Sequence, residues 1–94
     1  MTFEWHNRKE KVNIRKHGVD FNEASACFSD PLKVEVYDDE HSVDEDRLIV
    51  LGISSKGRLL AVCYVERDYE RIRIISARVA TKSERSFYNQ SNQP

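Results

Sequence analysis

The apolar and polar positions of the chain predict helices in its first third, strands in its middle and one more helix near its end. Residues 8–17 contain neither proline nor glycine, Asn7 can cap their amino end, and Gly18 can adopt the left-handed conformation that ends a helix. We therefore predict a helix over residues 8–17. Lys16 and His17 fall in its last turn, where positive charge is favourable.

A second helix is predicted to begin almost at once. Residues 20–23, Asp-Phe-Asn-Glu, have the form of a capping box, and the Asp-Pro pair at 30–31 ends the helical pattern. One face of this helix carries apolar side chains that we expect in the core, namely Phe21, Ala24, Cys27 and Phe28.

Four segments in the middle of the chain have the composition of β-strands. They are residues 32–37, 47–54, 58–66 and 71–77. The second is apolar on both faces and is expected inside the sheet, and residues 55–57 form the hairpin turn that follows it. Residues 38–46 are expected to be an acidic loop. Consecutive strands joined by short turns form an antiparallel meander.

A capping box at residues 81–84 predicts a C-terminal helix that carries Phe87 and Tyr88. We expect one domain over residues 1–90 and a disordered tail over 91–94. The order of the elements predicts an α+β fold with two N-terminal helices, an antiparallel four-stranded meander sheet and a C-terminal helix.

Composition narrows the class of protein. With 94 residues, 39% of them apolar, the chain can form one small core. No apolar run approaches the length of a membrane span, and the first residues lack a signal-peptide core, so a cytoplasmic location is expected.

Cys27 and Cys63 lie in apolar segments and are expected to be core residues. No histidine or cysteine pair has zinc-site spacing, and no cofactor motif is present, so no metal or cofactor is expected.

The net charge of −1 hides a segregated distribution. Residues 1–18 carry +3, residues 19–46 carry −9, and residues 47–94 carry +5. A fold that brings the two basic segments together would form a cationic patch on a nearly neutral protein. The alternative is an ordinary surface of mixed charge.

The last basic segment has the chemistry to bind phosphate. Five cations fall within fifteen residues, namely Arg71, Arg73, Arg78, Lys82 and Arg85. Arginine binds phosphate through two hydrogen bonds, and the first turn of the following helix also favours anions. Structural alternatives remain: Arg71 and Arg73 can solvate an exposed sheet face, and Glu84 can serve its capping box. His17 can serve its helix end, and Tyr88 can pack on the sheet.

Cleavage of RNA needs few protein groups. The 2′-hydroxyl is the nucleophile, so a protein has to align it, accept its proton, stabilise the phosphorane and assist the leaving oxygen. Arginines with one acid–base group suffice, and a ribonuclease without a metal is physically reasonable.

Several segments of the chain resemble the BrnT family of toxins from bacterial type II toxin–antitoxin systems. They are Phe3-Glu4-Trp5 with Lys9 and Asn13; Lys16-His17-Gly18-Val19 with Phe21, Glu23 and Ala24; Asp30-Pro31; and residues 72–78 with Ala80-Thr81 and Glu84-Arg85. His41-Ser42, Glu45, Arg47 and Gly52 also fit. The resemblance covers about residues 3–88. One departure is His6, where the family commonly has aspartate after the tryptophan.

The resemblance implies a RelE-like fold and endonucleolytic cleavage of RNA that inhibits translation. It also implies a BrnA-type antitoxin with a ribbon-helix-helix domain, so any contact with operator DNA is indirect. Together with the clustered cations, the resemblance suggests roles for individual residues. We expect Arg73 and Arg78 to bind and stabilise the phosphate, and Glu84 and His17 to transfer protons. The remaining expected RNA-binding residues are Arg47, Arg85 and Tyr88.

The main alternative is a binding module without catalysis that docks a small ribbon-helix-helix partner through the same arginines. Direct DNA binding is disfavoured, because no helix carries an obvious row of base-reading side chains.

Overall fold

The computed structural model describes residues 1–41, 45–68 and 70–93. Within them the chain forms five strands and three α-helices. In chain order these are β1 (Thr2–Glu4), α1 (Asn7–His17), α2 (Phe21–Ser25), β2 (Val34–Tyr37), β3 (Leu48–Ile53), β4 (Leu59–Asp68), β5 (Arg71–Val79) and α3 (Lys82–Ser91). Short 3₁₀ helices follow α2 at Ala26–Ser29 and β2 at Asp39–His41. The predicted acidic loop includes residues 42–44, which lie outside the described part of the chain.

The strands form one mixed sheet in the order β1-β5-β4-β3-β2. The last four strands are an antiparallel meander, as predicted, and β1 adds a fifth strand that runs parallel to β5. The α+β class is confirmed, but the prediction of a four-stranded sheet preceded only by two helices is wrong. A three-residue strand is too short to show alternation, and its partner lies at the other end of the chain.

The ends of α1 are set by local chemistry. Gly18 has φ of 68° and its N–H donates to the carbonyl of Ile14, which confirms the predicted left-handed cap. At the other end the cap residue is His6, and its side chain makes no capping hydrogen bond. The prediction that Asn7 caps this helix is wrong, because Asn7 is already the first residue of α1.

The predicted capping box of α2 is half formed. The Asp20 carboxylate accepts from the Glu23 N–H at 2.7 Å, but the Glu23 carboxylate turns toward the sheet. It accepts from the Arg58 Nε–H at 2.9 Å and from the Ser54 hydroxyl at 2.6 Å. These bonds tie the β3–β4 hairpin to the start of α2. The hydrogen bond from Arg58 is the main reason why the pKa of Glu23 is lowered.

Two apolar clusters lie on opposite faces of the sheet. The larger one packs α2 and the 3₁₀ turn after it against the sheet and includes the four predicted core residues, Phe21, Ala24, Cys27 and Phe28. The smaller one packs α3 on the other face and consists of Leu51, Leu59, Ala61 and Tyr88. Because α3 covers only part of its face, the remainder is open to a ligand.

The carboxyl end of the chain is bonded to the body of the domain. Asn92 follows α3, and its side-chain amide donates to the carbonyls of Leu32 at 3.0 Å and Tyr88 at 2.8 Å. Ser91 is the last residue of α3, and Asn92 joins the end of this helix to the segment before β2. Within the described residues, none of the helices has the length and apolar character needed to cross a membrane.

Candidate active site

An irregularity in β5 sets the direction of the arginines. Tyr64 pairs with Ile74 and Cys63 pairs with Ser76, so Ile75 is an additional residue in β5. Arg73 and Arg78 are five residues apart and would point to opposite faces of a regular strand. Their partners on β4 are Val65 and Ala61, which are four apart and share a face. The bulge therefore brings both arginines to the face that α3 partly covers.

A cavity of about 260 Å³ opens on this face beside α3. Its floor is made by side chains of the three inner strands, and two arginines and two carboxylates stand around it. The principal lining residues are Asp38, Arg47, Ile49, Cys63, Ser76 and Arg78. Glu40 completes the polar rim. Positive charge in a partly enclosed space can bind an anion, and neighbouring carboxylates can accept or deliver protons there.

Arg78 is held at this cavity by Glu84. Its two terminal nitrogens donate to the two Glu84 oxygens at 2.6 and 2.9 Å, and Glu84 Oε1 also accepts from the Thr81 N–H at 2.8 Å. The hydrogen bonds between the pair raise the pKa of Arg78 and lower that of Glu84. Two of the five guanidinium N–H groups bind Glu84, and within the described part of the chain the other three donors have no partner.

Cys63 lies on the cavity floor. It is half-buried, belongs to neither apolar cluster, and its Sγ is 3.9 Å from Asp38 Oδ2. The prediction that Cys63 is a core residue is wrong, whereas Cys27 is fully buried as predicted. Burial, reinforced by the charge of Asp38, raises the pKa of Cys63 to about 11, while Arg47 acts in the opposite direction. The group on the floor is therefore a neutral thiol at physiological pH.

Arg73 faces the same side of the sheet but does not line the cavity. Its Nε lies 3.5 Å from Glu4 Oε2, and the Nε of Arg71 lies 3.4 Å from Glu4 Oε1. Glu4 is in place because β1 pairs with β5, a pairing that the sequence pattern did not predict. A phosphate at Arg73 would meet a carboxylate that already binds the guanidinium.

The other predicted residues are spread around the cavity. His17 lies exposed at the end of α1, in a groove between that helix and β5. Arg85 is exposed on α3. Tyr88 is only 8% exposed and its hydroxyl donates to Asp30 Oδ2 at 2.7 Å. Burial raises the pKa of Tyr88 to about 12. The structure thus groups Arg47, Arg78 and Glu84, and the roles of the other residues stay predictions.

Sequence reasoning missed the acidic side of the site. Asp38 and Glu40 line the cavity, yet the sequence pattern placed them in an undifferentiated acidic loop. A usable signal was that Asp38 directly follows an alternating strand, where a side chain is positioned by the sheet. Ser76 was assigned only to its strand, because the bulge that turns it into the cavity has no local sequence signature.

The fold and the cavity define a small α+β domain with a cavity, lined by arginines and carboxylates, on the open face of its sheet. A profile described as "Ribonuclease toxin, BrnT, of type II toxin-antitoxin system" matches residues 5–84, and the chain belongs to this family. The resemblance found in the sequence is thereby confirmed. Membership of a type II toxin–antitoxin family also implies an antitoxin partner.

A solved structure agrees with this assignment. The 1.1 Å crystal structure of the Brucella abortus ribonuclease toxin BrnT is similar to this chain with a TM-score of 0.63 and 26% sequence identity. The match covers 87% of this chain and 99% of that one, so most of this chain is similar in fold to that protein. The comparison with curated proteins gives no match.

Proposed function

We propose that this chain is a metal-independent endoribonuclease that cleaves RNA through the 2′-hydroxyl of the substrate. The observation that carries the proposal is the Arg78 guanidinium, fixed by Glu84 at a cavity that Arg47 also lines. The toxin would act in the cytoplasm and inhibit translation. A BrnA-type ribbon-helix-helix antitoxin would neutralise it and would provide any contact with operator DNA.

The first step is binding of the scissile phosphate. The three free donors of Arg78 can reach non-bridging oxygens, and Arg47 supplies a second positive charge at the same cavity. Both charges interact more strongly with the phosphorane than with the ground state, because negative charge builds up on those oxygens. This differential stabilisation requires that the Arg78 guanidinium keeps its orientation during the reaction. Its two hydrogen bonds to Glu84 hold it in that orientation.

The chemical step is a transfer within the substrate. The 2′-oxygen forms a bond to phosphorus, and the bond from phosphorus to the 5′-oxygen breaks. The products are a 2′,3′-cyclic phosphate and a 5′-hydroxyl. A base accepts the proton of the 2′-hydroxyl, and an acid delivers a proton to the leaving 5′-oxygen.

Three groups are candidates for these proton transfers. Glu84 binds Arg78 through both oxygens and has a lowered pKa, which supports a positioning role more than a basic one. Glu40 lines the cavity and is a second carboxylate within it. His17 lies in the groove beside α1 and can act only on a substrate that extends there.

The remaining predicted residues are assigned to RNA binding outside the cavity. Arg73 and Arg85 would contact phosphates that flank the scissile bond. Tyr88 would contribute indirectly, because its buried ring and its bond to Asp30 fix α3 and with it Glu84.

The test is incubation of the purified protein, freed of any partner, with a defined RNA in excess EDTA. Fragments are expected to end in 2′,3′-cyclic phosphates, as read by mass spectrometry. Arg78→Ala should abolish cleavage with an unchanged far-UV CD spectrum. Arg67→Ala removes an arginine outside the cavity, bound to Glu45, and should cleave normally. Loss of wild-type cleavage on EDTA addition, or full activity of Arg78→Ala, would overturn the proposal. If free RNA is not cut, translating ribosomes provide the second substrate.

A non-catalytic docking module is the alternative function. It is favoured by exposed apolar side chains near α3 and β2, among them Leu32 at 51%, Tyr37 at 49% and Phe87 at 46% exposure. Such a module would bind its antitoxin but would cleave neither free nor ribosome-bound RNA. The same assays therefore separate the two functions.

A further inference from the structure

Helix α1 has an unusual concentration of positive charge. It carries five exposed cations, Arg8, Lys9, Lys11, Arg15 and Lys16. Its one acidic residue, Glu10, is engaged inward, because its carboxylate accepts from the Phe21 N–H at 2.9 Å. Among the residues that the structure describes, none of the five cations pairs with a carboxylate. The sheet arginines differ, since Arg58, Arg67, Arg71, Arg73 and Arg78 each have a carboxylate partner.

Three of these cations, Arg8, Lys9 and Lys16, border a groove of about 330 Å³ between α1 and β5. Lys9 and Lys16 stand at it on the helix side, with Val12 between them. Ile75 and Ser76 form its wall on the strand side, and the same two residues line the active-site cavity. The groove and the cavity therefore meet across the bulge of β5.

The groove exists because β5 is incompletely paired on this side. β1 pairs with β5 only from Arg71 to Arg73, and none of the described residues forms a strand along the second half of β5 on this side. Asn13 of α1 bonds to the backbone of Ala77 there, donating to its carbonyl at 2.8 Å and accepting from its N–H at 3.0 Å. The helix is thus fixed beside the strand, and its charged face is held next to the cavity.

The charges of the groove also act within the cavity. Burial is the main influence on the Cys63 thiol, whose pKa is about 11, and the positive charge of Lys9 partly opposes it. The charge of Lys9 on α1 thus influences the Cys63 thiol on the cavity floor. An anion that fills the cavity would be attracted toward α1 as well.

We infer that the groove between α1 and β5 binds the sugar–phosphate backbone of single-stranded RNA on one side of the scissile phosphate. Lys9 and Lys16 contact its phosphates. They are seven residues apart and share one helix face, about 10 Å from each other along the axis. Val12 and Ile75 offer apolar surface to riboses and bases. The inference rests on the proposed ribonuclease function, which supplies the phosphate in the cavity.

The test is equilibrium binding of 2′-fluoro RNA strands of three and twelve nucleotides over a range of salt concentrations. Such strands lack the 2′-hydroxyl and cannot be cleaved. Lys9→Gln/Lys16→Gln should reduce the salt-dependence slope for the twelve-nucleotide strand by about 1.4, because each lost phosphate contact on a single strand changes it by about 0.7. Binding of the three-nucleotide strand, which is too short to occupy the cavity and reach both lysines at once, should change little.

The matched control is Lys11→Gln/Lys56→Gln. Lys11 lies on α1 away from the groove lining, and Lys56 lies in the β3–β4 turn. This control removes the same net charge and should leave the slope of the longer strand nearly unchanged. Equal effects of the two double variants would show that only net charge matters and would overturn the inference.

The remaining outcomes are also decisive. The inference that RNA binds in the groove would be overturned if Lys9→Gln/Lys16→Gln lost equal affinity for both strand lengths. An unchanged salt-dependence slope, or no binding of the longer strand, would overturn it as well. If Lys9→Gln/Lys16→Gln lost antitoxin binding but bound RNA unchanged, the groove would be a site for the protein partner, and the inference would again be overturned. A length-dependent effect in a protein that cleaves no RNA would support the groove while contradicting the ribonuclease proposal.

Discussion

The side chain of Asn13 forms with Ala77 the pair of hydrogen bonds that a neighbouring strand would otherwise provide. A third bond, 2.9 Å long, runs from the same amide to the carbonyl of Val19. Asn13 is 5% exposed, so these bonds are buried. One polar side chain on a helix thus completes the sheet edge next to the active-site cavity.

We expect Asn13→Ala to lower the free energy of unfolding by about 2–4 kcal/mol, because it leaves buried backbone groups of Ala77 and Val19 without partners. Urea denaturation measures the change. Asn89→Ala, on the exposed face of α3, is the matched control and should alter stability by less than about 0.5 kcal/mol. A small effect of Asn13→Ala would show that α1 does not secure this edge.

Glu84→Gln tests whether Glu84 positions Arg78. A glutamine keeps the size of the side chain but replaces one acceptor oxygen by an NH₂ donor and removes the negative charge, so the two-oxygen contact with Arg78 is lost. Cleavage is expected to slow on the order of 100-fold, the cost of a misplaced catalytic group, with a small change in Tm. Glu66→Gln, an exposed carboxylate on β4, should cleave normally. A loss of activity that follows only a loss of folded protein would contradict the positioning role.

The stability of the fold should depend on Glu23 at acidic pH. The pKa of folded Glu23 lies below its ordinary value of 4.5, chiefly because Arg58 donates to it. The ionised carboxylate therefore stabilises the fold in full above the unfolded pKa, and this contribution is lost as the pH falls through the lower folded pKa. Glu23→Gln should be less stable at pH 7 and lose less further stability between pH 5 and pH 3. Urea midpoints of both proteins across that range provide the measurement, and parallel curves would refute it.

The Cys63 thiol should report on occupancy of the cavity. With a pKa of about 11, its alkylation by iodoacetamide should be slow at neutral pH and rise about tenfold per pH unit up to pH 10. A bound 2′-fluoro RNA strand should protect it further, because Cys63 lies on the cavity floor. Peptide mass spectrometry separates Cys63 from Cys27, which is fully buried. Unchanged modification of Cys63 with saturating RNA would place the RNA elsewhere.

Several local features of this fold could be predicted from the sequence, although the predicted cap at Asn7 was wrong, and the pairing of strands from the two ends of the chain could not be predicted. Gly18 ended α1 and Thr81 opened α3 as expected, since both caps depend on neighbouring residues only. The pairing of β1 with β5 depends on residues at opposite ends of the chain. It was missed, and with it the partner that Glu4 provides for Arg73.

The candidate site shows the same division. The link between Arg78 and Glu84 joins a strand end to the first turn of the next helix, so the sequence already placed the two residues close together. The carboxylates of Asp38 and Glu40 reach the cavity only because β2 pairs with β3. The alternation of residues along β2 does not predict this pairing. Charge alone does not distinguish a carboxylate that faces a ligand from one that faces solvent.

The bulge at Ile75 means that the register of β5 on β4, as well as residue identity, encodes the site. Loss of this one residue would restore regular alternation from Ile74 onward. Ala77 and Arg78 would keep their partners Val62 and Ala61 on β4, so Arg78 would stay at the cavity. If Ile75 instead took a regular place in the strand, Arg78 would turn toward the core beneath α1 and α2, and Ala77 would take its place at the cavity. A change of register alone could therefore remove Arg78 from the site while every proposed catalytic side chain remained in the chain.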